Sequence, residues 1–419
     1  MTEPEANLDV YLVGGAVRDQ IMGLQVKDRD WVVVGATPEE MTRRGFKPVG
    51  KDFPVFLHPS TKEEYALARS ERKTGKGYRG FEIVSNPNIT LEQDLIRRDL
   101  TMNAIAQDSN GDLVDPHGGI EDIRNGRIKH VSRAFEEDPV RVLRTARFAA
   151  RYAKRGMWID PETNALMSKM VELGEVDALV PERVWQELES VLSQSGVAVF
   201  FQALRRCGAL ERIFPELDAL FGVPQVKKYH PEIDTGKHVM MSLDAAEVLT
   251  SDPILLFAVL VHDLGKALTP MAELPSHRGH ESRGISPIAN LCDRLRVPKK
   301  YRDFALKVCE FHLHCHRIDE LKPATIFNLL EKLDGFRTPE NVGNFATCCK
   351  ADQRGRTGLE QASYPQAERL CRFHQAAMSV NTKEIASKHE GGEQIGMAIR
   401  NARIHGITEM KKQMLLAAK

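Results

Sequence analysis

Residues 14–30 read GGAVRDQIMGLQVKDRD, and the fold turns on how this stretch is read. An apolar run, Val10-Tyr11-Leu12-Val13, leads into the Gly14-Gly15 pair, and a helix-like segment with Arg18 and Asp19 follows. Asp28 and Asp30 then open a second apolar run, Trp31-Val32-Val33-Val34. If that run is a strand, residues two apart face the same side, so both carboxylates project together. Paired carboxylates suit Mg²⁺, which is commonly held by one or two of them plus substrate phosphates. Glycines permit close approach of the backbone to those phosphates, and a new helix N-terminus favours negative charge. The stretch therefore reads as a site for a metal-bound nucleoside triphosphate. A dinucleotide-binding reading fails, because no G-x-G-x-x-G follows the first strand.

Each part is common alone, since most Asp-X-Asp pairs are solvated turns. Joined in this order and spacing, GGxVRD…DxD resembles the active-site motif of polymerase-β-type nucleotidyltransferases, in the form seen in the tRNA CCA-adding and bacterial poly(A) polymerase family. Three further segments carry the same resemblance. Asp94-Leu95-Ile96-Arg97-Arg98-Asp99-Leu100-Thr101-Met102-Asn103-Ala104 is similar to the family's RRDxTxNA segment, whose arginines either hold triphosphate oxygens or fix the site by ion pairing. Asp115-Pro116-His117-Gly118-Gly119-Ile120-Glu121-Asp122 fits its DPxxGxxD element, read as mainly structural. Glu137-Asp138-Pro139-Val140-Arg141-Val142-Leu143-Arg144 resembles the EDxxRxxR neck helix. The resemblance implies that Asp138 and Arg141 hydrogen-bond the incoming base and that Arg144 and Arg147 contact nucleotide phosphate. It places Gly15, Arg18 and Arg98 in the nucleotide site, and makes Asp28 and Asp30 the catalytic Mg²⁺ ligands. Pro181-Glu182-Arg183-Val184-Trp185-Gln186-Glu187 matches a later helical element, with helix packing and ion pairing as its expected role.

Composition sets the bounds. The 419 residues leave room for two to four domains, and 42% hydrophobic with 28% charged residues is ordinary for a soluble globular chain. Lys plus Arg and Asp plus Glu both number 58, so any RNA-binding surface must come from local segregation of charge. Such segregation occurs in Pro139–Arg155, where Arg141, Arg144, Arg147, Arg151, Lys154 and Arg155 are met by no acidic residue. On a helix they fall within roughly 140°. A second basic set, Arg69, Arg72, Lys73, Lys76 and Arg79, runs through the Gly-rich 74–80 segment and reads as a loop able to close over a triphosphate. Seven cysteines without a regular framework suit reduced thiols, the polar start is no signal peptide, and no apolar run approaches a membrane span. A cytoplasmic protein without membrane contact, a monomer or weak homo-oligomer, is expected.

The second constellation is Val261-His262-Asp263-Leu264-Gly265-Lys266, at the end of a helical apolar run and preceded by His238. HDLGK with an upstream histidine resembles the HD phosphohydrolase motif, in which His238, His262 and Asp263 ligate a metal that lowers the pKa of bound water. His280 and His312 follow at fitting places, and Asp319 and Asp352 are both candidates for the distal aspartate. In Cys309-Glu310-Phe311-His312-Leu313-His314-Cys315-His316 a structural zinc would need another ligand from elsewhere, so His312 is assigned to the HD centre and the rest to packing or surface.

Mixed strands and helices over residues 8–135 followed by an almost wholly helical remainder give an α+β class. The expected organisation is a polymerase-β-like nucleotidyltransferase head with a mixed sheet (1–136), an all-α neck and body (137–224), an HD domain (225–336) and a helical tail (337–419). CCA-adding enzymes with an HD domain are of the multifunctional bacterial type. The resemblance thus implies CTP(ATP):tRNA nucleotidyltransfer with Mg²⁺, and phosphatase, 2′-nucleotidase and 2′,3′-cyclic phosphodiesterase activities with Ni²⁺ or another divalent transition metal. tRNA, CTP and ATP are the implied partners. A poly(A) polymerase, or an HD phosphohydrolase with a nucleotide-sensing head, are the alternative readings.

Overall fold

The computed structural model describes residues 4–49, 55–73, 81–84 and 86–417. The Gly-rich 74–80 segment, with Lys76 and Arg79, lies outside them. Two compact units are formed, one from residues 1–187 and 199–213, the other from 188–198 and 214–419.

The first unit opens with β1 (Asp9–Val13), α1 (Gly15–Ile21), β2 (Asp30–Val34), α2 (Pro38–Arg43), β3 (Lys47–Val49), β4 (Val55–Leu57) and β5 (Glu64–Leu67). β6 (Ser70–Lys73) and β7 (Phe81–Val84) pair as an antiparallel ribbon flanking the 74–80 segment. Then come α3 (Leu91–Ile96), β8 (Ala106–Gln107), β9 (Leu113–Val114), α4 (Gly119–Arg124) and β10 (Arg127–Ile128). The main sheet runs β3-β4-β5-β2-β1-β8-β9. It is mixed: β2 and β5 are parallel and the other neighbours antiparallel.

Both faces of this sheet are covered, as the unbroken apolar runs require. Tyr11, Val13, Val32 and Val34 share one core with Leu91 and Leu95 of α3, while Val10 and Val33 join Met41, Phe46, Phe56 and Leu67 on the other side. The period-2 pleat divides the two sets. Local signals set the helix starts. Thr37 caps α2, with Pro38 in its first turn, and Thr90 and Gln93 close a capping box on α3.

The same unit continues into helices: α5 (Val140–Tyr152), β11 (Trp158–Ile159) pairing with β10, α6 (Pro161–Glu172), α7 (Pro181–Leu192), α8 (Val197–Arg206) and α9 (Ala209–Ile213). The DPxxGxxD element is a structural corner. Asp115 accepts the N–H groups of Gly119 and Ile120, and Asp122 accepts the Thr101 hydroxyl at 2.6 Å. A Cβ on Gly119 would stand 2.2 Å from the Thr101 carbonyl oxygen, a backbone atom that cannot step aside. Gly119→Ala is therefore expected to destabilise the protein by about 1–3 kcal/mol, read as a lower urea midpoint; an unchanged midpoint would show that the corner yields.

The second unit holds α10 (Pro215–Asp218), α11 (Thr235–Leu249), α12 (Pro253–Val261), α13 (His280–Arg283), α14 (Ile285–Leu295), α15 (Lys299–His316), α16 (Pro323–Lys332), α17 (Glu340–Arg354), α18 (Pro365–Met378), α19 (Thr382–Ala386) and α20 (Gly392–Ala417). Leu255 to Val261 of α12 are all buried, and the helix is packed by α11, α15 and α17. A helix apolar all round has to be enclosed in this way. His262 and Asp263 leave its C-terminal end directly into the enclosed centre.

Candidate functional site

Two separate polar centres stand out, one in each unit. In the first, Val13 at the end of β1 pairs with Asp30 at the start of β2. That register puts the Gly14–Gly15 turn and Asp30 at the same end of two central strands. Gly14 adopts φ 67° and ψ −125°, and a Cβ there would lie 3.2 Å from Nη1 of Arg98, so both conformation and space call for glycine. The strand begins at Asp30, not Asp28; Asp28 lies in the preceding loop. The pleat therefore does not align the two carboxylates, as the sequence reading assumed. They are nonetheless electrostatic neighbours. Partial burial pushes the Asp30 carboxyl up, Arg98 draws it down, and the charge of Asp28 raises it again, leaving it above its ordinary range. Both side chains belong to exposed residues, where a cation could relieve their mutual repulsion.

Behind this end of the strands the arginines are held by acids. Arg98 donates to Asp94 Oδ2 and to the Asn103 carbonyl, and Arg97 donates to Asp94 Oδ1 at 2.6 Å, so one buried carboxylate fixes both. Arg18 is 4% exposed; it donates to Asp19 and, at 2.6 Å, to Oδ1 of Asn103, beneath the rings of Phe148 and Tyr152. Asn103 in turn donates to Asp99, which also accepts from Arg144 at 2.7 Å. Burial would push the Asp99 carboxyl up, but the Arg144 charge and the Asn103 and Arg144 hydrogen bonds hold it well below the usual carboxylate range. Arg147 donates to Glu187 at 2.6 Å, and Arg151 and Tyr152 both donate to Asp19. The basic stripe of α5 is thus an internally paired face and not a bare solvated one.

Asp138 and Arg141 are neighbours at the start of α5. The Asp138 carboxylate receives both Nη atoms of Arg183 at 3.0 and 2.7 Å, while Arg141 donates to the Ala134 carbonyl at 2.7 Å. Arg183 is the member that sequence reasoning passed over as a partner of Asp138. Its only signal was the Pro-Glu-Arg string, which by itself suggests any helix-to-helix ion pair.

The second centre gathers His238, His262, Asp263, His280, His312 and Asp352, all buried. Of the two candidate distal aspartates, Asp352 is the one that lies in this cluster. Its Oδ1 lies 3.0 Å from Nε2 of His238 and 3.9 Å from Nε2 of His262, whereas Asp319 is half exposed and paired with Arg369. The histidines are oriented alike. Nδ1 of His262 faces the Val259 carbonyl at 2.7 Å, Nδ1 of His280 that of His277 at 2.8 Å, and Nδ1 of His312 that of Cys309 at 2.9 Å. His238 Nδ1 lies 3.2 Å from the Gly355 carbonyl and 3.0 Å from Glu232 Oε1. Since carbonyls only accept, Nδ1 of His262, His280 and His312 carries the proton and their Nε2 atoms offer lone pairs inward, whereas His238 has an acceptor at each nitrogen, its Nε2 lying 3.0 Å from Asp352 Oδ1. This is the arrangement that outer partners impose on metal-binding imidazoles.

The inward atoms crowd one another. Nε2 of His280 and Nε2 of His312 stand 3.1 Å apart, the His262 Nε2 is buried without a hydrogen-bond partner, and so are both oxygens of Asp263. Asp263 Oδ2 faces His262 at 3.3 Å and His238 at 3.8 Å, and Oδ1 faces His280 at 3.3 Å and His312 at 4.0 Å. Two donor groups, His238–His262–Asp352 and Asp263–His280–His312, each lie within 4.8 Å and meet at Asp263. Atoms held at about 2.1 Å from a shared ion stand roughly 3 Å apart, so the residues fit a divalent transition metal. Lys266 Nζ, 2.6 Å from Asp263 Oδ2 and 2.7 Å from Gln225, supplies the balancing positive charge. Burial would raise Asp263, yet His262 and Lys266 hold it well below its usual range. His316, assigned from sequence to packing or surface, instead contacts Asp352 at 2.6 Å.

Comparison with known proteins bears on both units. Residues 10–129 match the family described as Poly A polymerase head domain, and residues 156–221 that described as probable RNA and SrmB-binding site of polymerase A. The multifunctional CCA protein of Acinetobacter baumannii (strain ATCC 17978) is 54% identical over 406 residues, 97% of this chain and 98% of that protein. The protein of the same description from Thioalkalivibrio sulfidiphilus is 52% identical over 97% of this chain and 99% of its own length. Among solved structures, a CCA-adding enzyme in apo form II superposes with a TM-score of 0.64 at 20% identity, covering 99% of this chain and 93% of that one. The Thermotoga maritima CCA-adding enzyme complexed with tRNA gives 0.62 at 19% identity, over 99% and 92%. These two likenesses establish the fold. No helix among the described residues is long and apolar enough to cross a membrane.

Proposed function

The chain belongs to the multifunctional CCA protein family, and from that premise we propose that it is a CTP(ATP):tRNA nucleotidyltransferase which builds and repairs the 3′-terminal CCA without a nucleic-acid template. The observation that carries this reading is the Val13–Asp30 register, which sets a turn suited to glycine, Asp30 and Arg98 at one end of two central strands, with the charge of Asp28 acting on Asp30. Asp28 and Asp30 would hold Mg²⁺, which when bound would neutralise the triphosphate and favour ionisation of the primer 3′-hydroxyl. The turn at Gly14 and Gly15 admits the phosphates. Arg18, Arg98, Arg144 and Arg147 supply positive potential, kept in place by their acidic partners. Asp138 and Arg141 present acceptor and donor edges to the base, with Arg183 holding the carboxylate plane. The 3′-oxygen attacks the α-phosphorus in line, and pyrophosphate leaves.

The second unit is an HD phosphohydrolase with phosphatase, 2′-nucleotidase and 2′,3′-cyclic phosphodiesterase activity. Inward Nε2 atoms on backbone-anchored imidazoles support that reading, and Ni²⁺ or another divalent transition metal suits their softness. Its residues would hold the ion, with Lys266 balancing the charge of the donor set and burial excluding bulk water.

The test is incubation of the full-length protein with tRNA lacking its last three nucleotides, with each nucleoside triphosphate alone and together. Two C additions followed by one A and then arrest are expected on a sequencing gel. A long A tail would identify a poly(A) polymerase. Absence of incorporation would leave only the hydrolase.

A further inference from the structure

Two histidines of the Cys309–His316 stretch, His314 and His316, are left over once the inward donors are counted, and the second touches the centre. His316, one turn after His312 on α15, has both ring nitrogens engaged. Nε2 lies 2.6 Å from Asp352 Oδ2, and Nδ1 lies 2.8 Å from the Tyr364 hydroxyl. A carboxylate only accepts, so Nε2 carries the proton and the Nδ1 lone pair accepts the Tyr364 O–H. Every donor in the series Tyr364, His316, Asp352 then has an acceptor. The ring is also set by edge contacts with His312 at 6.0 Å and Tyr364 at 5.6 Å between centroids. Tyr364, just ahead of α18, is 7% exposed, so the series is shielded from competing water.

The consequence falls on Asp352. With Oδ2 occupied, Oδ1 is the oxygen that faces His238 and His262, with an Arg356 guanidinium nitrogen 3.6 Å away. We propose that His316, oriented by Tyr364, is a positioning residue that commits Asp352 to offer one oxygen to the metal in a fixed direction. The proposal rests on the reading of this centre as a metal site. His316 is not itself a ligand, because neither nitrogen has a lone pair free to face the ion. Outer partners of this kind typically change metal affinity 10- to 100-fold when removed.

Co²⁺ is the probe, titrated into the full-length protein by calorimetry and by visible absorption. The HD-centre signal is the part abolished in His262→Ala. His316→Ala is expected to weaken that binding about 10- to 100-fold and to shift the absorption band, because a freed carboxylate alters the ligand field. Tyr364→Phe, which removes a single hydroxyl, should move both readouts less and in the same direction. His316→Gln, whose amide can still donate to Oδ2, should stay nearer the parent protein. Parent-like affinity and spectrum in both His316→Ala and Tyr364→Phe would overturn the positioning role alone. A parent protein with no His262-dependent Co²⁺ signal would overturn the metal reading on which it rests.

Discussion

Asp28→Ala and Asp30→Ala, each alone, are expected to lower CMP and AMP incorporation into CCA-less tRNA by about 10³-fold or more while the protein stays folded. The size follows from the work asked of the pair. A cation at a triphosphate supplies several kcal/mol of charge stabilisation, and each 1.36 kcal/mol is tenfold in rate. The folding argument is equally direct. Both residues are exposed, neither is in a core cluster, and Asp30 is held above its ordinary range by burial and by the charge of Asp28. Truncating one carboxylate relieves repulsion instead of opening a cavity. Thermal unfolding should therefore be unchanged or slightly raised. Release of phosphate from 2′,3′-cAMP should persist, since it draws on side chains of the other unit. Near-normal incorporation by either variant would remove the acidic pair from the mechanism.

His262→Ala is expected to abolish metal-dependent phosphate release from 2′,3′-cAMP, by about 10³-fold or more, and to leave CCA addition intact. His262 is the centre's one imidazole whose inward nitrogen is buried with no hydrogen-bond partner, and it faces both Asp263 and Asp352. Removing it subtracts a donor from a set that meets at Asp263, so the loss should appear in metal affinity as well as in turnover. His262→Gln separates chemistry from packing, because it preserves most of the buried volume while replacing the imidazole by a weak amide ligand. If release survives in both variants with Ni²⁺, Co²⁺, Mn²⁺ and Mg²⁺, the HD centre is a structural platform.

Much of the first centre was legible along the chain because its parts are local. Gly14–Gly15, the RRD string and the Glu137–Arg147 segment each lie within about three helical turns, and backbone periodicity places their residues. The harder parts depend on distant partners. The family resemblance implied that Arg144 and Arg147 contact phosphate; folding brings Asp99 and Glu187 onto them. Likewise the acidic pair was derived from a strand pleat that begins two residues too late. What links the pair is electrostatic: the charge of Asp28 acts on Asp30, beside Arg98. In the second unit, HDLGK was readable because a dipeptide at the end of an apolar helix is rigidly presented, but the choice between Asp319 and Asp352 was not.

By itself the sequence determined which side chains exist in chemically suggestive order: GGAVRD before DRD, RRDLTMNA, an arginine stripe with Asp138 at its head, and HDLGK after His238. It also determined the helical and strand periods that make an α+β head and helical remainder. Tertiary structure alone decided which carboxylate meets which cation: Asp352 over Asp319, Arg183 on Asp138, His316 on Asp352. The reason is that secondary structure is set by interactions within a few residues. A buried charge must instead find its partner wherever packing delivers one, because the cost of leaving it unpaired in the interior outweighs any local preference.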